Sequence, residues 1–265
     1  MPIIAPHEAS LAPAQFKPLR ALILGGTSEG RRLAGRLAGE SDIYAVMSLA
    51  GRTKAPFEFA LPTRVGGFGG VDGLIRYLTE VRIDRVIDAT HPFAARISAN
   101  ARAACAAVGV PLAVFSRAPW RAREGDRWTE FADIESAARA LGESKRRVFL
   151  TIGRLGVAAF RANHQHEYLI RSIEPPDAHE LPPSSTVILA RGPFEREEEI
   201  ALMREHRIEV VVTKNSGGAS TYAKIEAARA LNLEVVVIAP PACGDIPQLA
   251  DLDAAMAFLG ASAAQ

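Results

Sequence analysis

The sequence predicts an α/β protein of two domains, each built on a mostly parallel sheet, with a cleft between them. Three observations carry this. Short apolar runs alternate with helical patterns almost throughout; the runs are continuous rather than alternating; and the rhythm breaks once, near the middle of the chain. A strand covered by helices on both faces reads as an unbroken apolar run, whereas a half-exposed strand alternates. Repetition of strand, helix and strand then calls for right-handed crossovers and an open sheet.

The candidate strands are 20–25 (RALILG), 43–48 (IYAVMS), 85–89 (RVIDA), 111–115 (PLAVF), 147–152 (RVFLTI), 167–173 (EYLIRSI), 186–190 (TVILA), 209–213 (EVVVT) and 234–239 (EVVVIA). Helices are expected at 28–39, 71–80, 93–108, 133–141, 155–162, 194–206, 221–231 and 251–259. The first sets Leu33, Ala34 and Leu37 on one side and Arg31, Arg32 and Arg36 largely on another. The third is rich in alanine, a strong helix former. The break falls at 117–130, RAPWRAREGDRWTE, a charged stretch that carries both tryptophans, Trp120 and Trp128. It marks the expected junction: a loose, proline-bearing tail at 1–18, a first α/β domain at 19–117, and a second α/β domain at 118–265.

The chain has 265 residues, enough for two moderate domains. A net charge of +1 leaves no footprint for nucleic acid, which needs a basic stripe. No apolar run approaches the ~18 residues of a membrane span, and the N-terminus lacks the basic segment before an apolar stretch that marks a secretory signal. The cysteines, Cys105 and Cys243, lie far apart in apolar or helical surroundings and read as buried thiols, not as a disulfide. A cytoplasmic location is expected.

Ligands of such sheets bind beyond the carboxyl ends of the strands, and four loops there carry candidate chemistry. The first is Gly25, Gly26, Thr27, Ser28, Glu29 and Gly30. A strand enters a glycine turn, and the following helix start offers free N–H groups and the positive end of its dipole to a phosphate. Ser28 is the expected N-cap, with Thr27 adding a hydroxyl. The second is MSLAGRTK, where a nicotinamide site for NADH would place a carboxylate against the ribose and a site for NADPH a basic group against the 2′-phosphate. No Asp or Glu lies between Tyr44 and Phe57; Ser48, Gly51, Arg52, Thr53 and Lys54 stand there instead, which favours NADPH.

The third loop is DATHPFA, with Asp88, Thr90 and His91 at the end of a buried strand and Pro92 expected in the first turn of the next helix. Thr90 can cap that helix or face a ligand, and His91 has the ordinary range of a proton donor. The fourth is TKNSGGAS, where Lys214 supplies a cation, Asn215 and Ser216 hydrogen bonds, and Gly217 and Gly218 a backbone nest for an anion. A weaker relative is TIGR, with Arg154 after another buried strand. Tyr222 and Lys224 are two apart and diverge on a helix, so they do not form the Tyr-x-x-x-Lys pair of short-chain dehydrogenases. His164 and His166 lack a third ligand nearby, and no metal site is expected.

Taken together, ILGGTSEGRRLA, SLAGRT, DATHPFA, TIGR and TKNSGGASTYAKIEAA resemble the precorrin-6A reductase family of cobalamin biosynthesis, in the family's order and from about Leu19 to Pro240. The resemblance implies two Rossmann-like domains with the active site between them, and hydride transfer from NADPH to precorrin-6A, giving precorrin-6B. It implies that Gly25 to Gly30 hold the pyrophosphate and its surroundings, that Ser48, Gly51, Arg52 and Thr53 hold the 2′-phosphate, and that Thr90 and His91 lie near the nicotinamide. Arg154, Lys214, Asn215, Ser216, Gly217 and Gly218 would take carboxylates of the substrate, or Lys214 a cofactor phosphate. The partner is thus a polycarboxylated tetrapyrrole, and the protein a monomer or small homo-oligomer. Two alternatives stand beside this reading: an NADP-dependent reductase of another small molecule, and a non-enzymatic NADPH sensor, which would need no second anion loop.

Overall fold

A computed structural model describes residues 18–51 and 59–260. The chain runs β1 (Leu19–Leu24), α1 (Ser28–Leu37), β2 (Ile43–Leu49), β3 (Thr63–Val65), α2 (Gly70–Glu80), β4 (Arg85–Asp88), α3 (Ala95–Val108) and β5 (Leu112–Phe115). It continues through β6 (Arg127–Phe131), α4 (Ile134–Arg139), β7 (Arg147–Thr151), a 3-10 segment (Arg154–Phe160), β8 (Glu167–Ser172), β9 (Ser185–Leu189) and α5 (Arg196–Glu205). The last elements are β10 (Val210–Lys214), α6 (Ala223–Ala230), β11 (Glu234–Ile238), β12 (Gln248–Leu249) and α7 (Leu252–Phe258). They form two six-stranded sheets, ordered β12-β5-β4-β1-β2-β3 and β6-β11-β10-β7-β8-β9. Every pairing in both is parallel.

The unbroken apolar strands are explained by burial on both faces. In β1, Ala21 and Ile23 pack with Leu33 and Leu37 of α1 and Met256 of α7. The alternate residues Leu22 and Leu24 pack with Leu74 and Leu78 of α2 and Ala104 of α3. In the second sheet, Val148 and Leu150 of β7 face Ala137 of α4 and Val157, while Phe149 faces Met203 of α5 and Ile225 of α6. Each pleat direction of β1 and β7 therefore meets its own set of helices.

The domain boundary is the main correction. The expected second domain, 118–265, does not hold the last strand and helix. β12 pairs with β5 at the edge of the first sheet, and α7 completes the first core beside α1. Conversely β6, inside the stretch read as a bare junction, is the edge strand of the second sheet, with Val235 opposite Trp128. The chain therefore crosses between domains twice, at 116–126 and at 239–247. The short strands β3 and β12 lack an apolar run, so periodicity could not show them. The segment expected as a helix at 155–162 is a 3-10 helix. α3 starts at Ala95, after a turn closed by Ala94 N–H donating to the His91 carbonyl at 2.7 Å, so Pro92 precedes the helix. Cys105 is buried, but Cys243 is only half-buried; both are free thiols. No described helix is long and apolar enough to cross a membrane.

Candidate active site

The strand order reverses between β1 and β4 in the first sheet and between β7 and β10 in the second, and ligands of open α/β sheets bind in the crevice at such a point. In the first sheet this lies between β1 and β4, at the loop Gly25–Gly30. A methyl on Gly25 would overlap the sulfur of Met47, so this glycine permits close packing of β1 on β2. Gly26 has φ 123° and nothing within 4 Å of the position of a Cβ, leaving open space over the loop. A methyl built on Gly30 would meet the Ala89 Cβ at 3.5 Å, an ordinary van der Waals contact.

Thr27, not Ser28, caps α1. Its hydroxyl accepts from Gly30 N–H at 3.2 Å and donates to the Ala89 carbonyl at 2.7 Å. The proton of that hydroxyl ties the first loop to the end of β4, and one lone pair of its oxygen is left as an acceptor. The Ser28 hydroxyl donates to Glu29 at 3.1 Å. The open groups left for an anion are backbone N–H groups at the start of α1.

At the end of β2, Ser48 is buried, and its hydroxyl accepts from Arg64 at 2.8 Å. The Arg64 guanidinium also donates to the carbonyls of Gly66 and Gly67 and lies 3.8 Å from the centre of the Phe68 ring. Arg64 is a basic residue that sequence reasoning missed; its position just before the glycine pair 66–67 was the available signal. Gly51 closes the described part of this loop, while Arg52 and Thr53 lie outside the described residues.

At the end of β4 the Asp88 carboxylate, 4% exposed, accepts from the Thr90 hydroxyl at 2.6 Å, from Thr90 N–H at 3.0 Å and from the Ser98 hydroxyl at 2.6 Å. Thr90 does not cap α3, whose cap is Ala94. With its proton on Asp88, the Thr90 oxygen is left as an acceptor. His91 accepts from Phe93 N–H through Nδ1 at 3.2 Å, which leaves its proton on Nε2. One edge of the ring is open to the cleft. Even so, desolvation by the cleft walls, then the charges of Arg117, Lys214 and Lys224, hold its pKa down at about 4. At neutral pH the ring is a neutral donor through Nε2–H, not an imidazolium.

The fourth loop is fastened to the first domain crossing. The side-chain oxygen of Asn215 accepts from Trp120 N–H at 2.7 Å and its amide donates to the Trp120 carbonyl at 2.9 Å. Trp120 Nε1 donates to the Gly218 carbonyl at 2.7 Å. Asn215 is therefore a structural tie. Ser216 N–H donates to the Lys214 carbonyl at 2.9 Å, so the nest for an anion narrows to Gly217 and Gly218. Lys214 lies 5.2 Å from the Phe93 ring, and burial lowers its pKa. Arg154 is exposed at the carboxyl end of β7, the strand paired with β10. A cavity of about 440 Å³ opens beside the end of β4 and Asn215, lined by Thr90, His91, Arg102, Arg117, Asn215 and Gln248 among others. It lies where both crossings meet the carboxyl ends of β4 and β5, and two of its walls are guanidinium groups.

Lys224, discounted as a catalytic partner of Tyr222, is buried instead. Its ammonium donates to the Thr221 carbonyl at 2.7 Å and sits 5.0 Å from the Trp120 ring, near the Arg171–Glu199 ion pair. Burial, reinforced by Arg171 and opposed by Glu199, lowers its pKa from 10.5 to about 7. Between those values the unfolded chain holds a proton that the folded chain lacks, so stability rises with pH across that window, by up to about 1.4 kcal/mol per pH unit. The variant Lys224→Met is expected to flatten that rise in urea midpoints; an unchanged slope would assign the rise to another group.

Comparison with known proteins adds a consistent set of relatives. Residues 20–260 match the family model described as precorrin-6x reductase CbiJ/CobK. The chain is 49% identical over 240 residues to the precorrin-6A reductase of Rhodobacter capsulatus, covering 91% of this chain and 95% of that one. It is 49% identical over 242 residues to the precorrin-6A reductase of Rhodococcus erythropolis, covering 91% and 97%. The solved structure of a CobK precorrin-6A reductase superposes with a TM-score of 0.85 at 48% identity, covering 92% of this chain and 98% of that one.

Proposed function

The chain belongs to the precorrin-6x reductase family, and from that premise we infer that it reduces precorrin-6A in cobalamin biosynthesis with NADPH as the hydride source. One observation carries the assignment of the site: a single cavity is lined by Asp88, Thr90 and His91 at the end of β4, by Asn215 of the second loop and by Arg102 and Arg117, and Arg117 reaches from it to Ser28 and Glu29 of the first loop. The first loop fits a dinucleotide, since the space over Gly26 is open and the start of α1 presents N–H groups. The second, with Lys214, Gly217, Gly218 and Arg154, fits the carboxylates of a tetrapyrrole. Charge-assisted contacts of this kind contribute roughly 1.5–3 kcal/mol each.

A reduced nicotinamide supplies the hydride when bound. The residues of the chain orient and shield. Asp88 fixes Thr90 as an acceptor, which suits an amide or ribose hydroxyl donor. His91, neutral with its proton on Nε2, positions a carboxylate or carbonyl oxygen by hydrogen bonding. The crossings at Trp120 and Pro240 wall the cavity from solvent, and the proton that accompanies the hydride is supplied from water or another group, since the imidazolium form is scarce at neutral pH.

The preference for NADPH rests on basic groups at the end of β2, where Ser48 and Arg64 meet and Arg52 follows in sequence. Single replacement of Arg52 or Arg64 by Ala is expected to lower kcat/KM for NADPH about 10-fold or more in at least one variant, and to leave NADH turnover little changed. Equal use of both cofactors by the unaltered protein, or no effect of either variant, would refute the NADPH assignment.

A further inference from the structure

Arg117 stands where the first crossing leaves β5, and it touches both glycine loops. Its Nη1 reaches the Ser28 hydroxyl at 3.5 Å, and its Nε lies 3.7 Å from the Glu29 carboxylate. That ion pair is longer than a hydrogen bond, and among the described residues the buried Nε–H has no hydrogen-bond partner. On its other side the stem lies under the second loop. A methyl on Gly218 would come within 2.5 Å of Cδ and 2.8 Å of Nη1, and one on Gly217 within 3.1 Å of Cγ. The residue also lines the cavity and lowers the pKa of His91 by its charge. A buried guanidinium N–H without a hydrogen-bond partner, beside the start of α1 and on a side chain that lines the cavity, suits an anionic oxygen.

We propose that Arg117 couples the two ligand sites: an anionic oxygen of the bound dinucleotide takes the unpaired Nε–H edge in place of the long Glu29 contact, and the resulting set of the stem fixes Gly217 and Gly218 for the substrate. Without the guanidinium between them, Glu29 and a phosphate at the start of α1 would repel each other. With it, the three charges alternate in sign. Because the loops share one side chain, each ligand favours the arrangement that the other needs, and the effect is reciprocal. This rests on the dinucleotide and tetrapyrrole reading given above.

The test is NADP+ binding with and without saturating precorrin-6A, a pair that cannot react, measured by calorimetry. The unaltered protein is expected to bind NADP+ more tightly when precorrin-6A is present. Arg117→Met is expected to bind NADP+ about 10- to 100-fold more weakly, the size of a lost charge-assisted bond, and to lose the enhancement. Arg117→Lys, which keeps the charge but not the fork, recovers part of the affinity. Gly218→Ala, whose methyl would push Cδ and Nη1 of Arg117 aside, is expected to lose the enhancement and to weaken NADP+ binding less than Arg117→Met does. Full enhancement in both Arg117→Met and Gly218→Ala overturns the proposal. So does an Arg117→Met variant with normal NADP+ affinity that is weakened only for precorrin-6A, because the anion is then a substrate carboxylate. An unaltered protein that binds neither ligand refutes the reductase reading itself.

Discussion

Replacing Gly217 by Ala is expected to lower kcat/KM for precorrin-6A reduction by about 10²- to 10³-fold while leaving both sheets folded. Gly217 has φ 65°, and a methyl there would overlap the carbonyl oxygen of Ala118 on the first crossing. An L-residue in the left-handed region costs roughly 1–2 kcal/mol, and overpacking against backbone typically costs 1–3 kcal/mol more. Neither partner can yield cheaply. Ala118 is followed within two residues by Trp120, which Asn215 and Gly218 hold by three hydrogen bonds. The strain would be relieved by opening the loop and the crossing, both of which wall the cavity. At 1.4 kcal/mol per tenfold, the combined cost gives the stated range. Steady-state kinetics check the loss, and far-UV circular dichroism checks the fold. Activity within a factor of about three of the unaltered protein would mean that the second loop takes no part in binding the substrate.

The second large effect is on stability. Glu199→Ala is expected to destabilise the second domain by about 3–5 kcal/mol, the range for breaking a buried ion pair by removal of one partner. Arg171 and Glu199 are joined by two hydrogen bonds and are 7% and 2% exposed. The guanidinium is stacked 3.7 Å from the Phe194 ring and 4.9 Å from that of Phe149. Removing the carboxylate leaves Arg171 charged and unpaired, and it deprives Lys224 of the one nearby anion that favours its protonated form. Urea unfolding followed by tryptophan fluorescence reads the second domain, because Trp120 and Trp128 pack against its core. The double variant Arg171→Met/Glu199→Leu should recover most of the loss, because paired apolar side chains leave no orphaned charge. A single-variant loss below about 1 kcal/mol would show that the pair is solvated in solution.

Much of the scaffold was legible because it is written locally. Nine strands were read from continuous apolar runs, and each is present. What those runs could not show were the strands without a run. β3 and β12 have only three and two residues, and β6, RWTEF, mixes charge with aromatics at an exposed sheet edge. The glycine loops were visible as strand–glycine–helix junctions, but the partners of their side chains were not. The Thr27 hydroxyl donates to the carbonyl of Ala89, 62 residues away, a partner no local pattern shows. Asn215, which lines the cavity, also clasps Trp120, 95 residues away. Arg117 and Arg64, treated as a boundary residue and not noticed at all, sit against the loops that matter.

The α/β class, the parallel sheets, the four loops at strand ends and the absence of a carboxylate after the second strand are all written in the residue order. These follow from periodicity, from the unique backbone freedom of glycine and from residue type, all of which act over a few residues. Only the tertiary structure decided which domain owns the last strand and helix, which polar groups are already engaged, and which cation lies between the two loops. Those depend on pairing over distances of 60 to 140 residues, where β5 chooses β12 and Arg102 reaches the Cys243 carbonyl. Such choices come from the shape of the whole core and from the requirement that each buried polar group find a partner, and no local pattern records them.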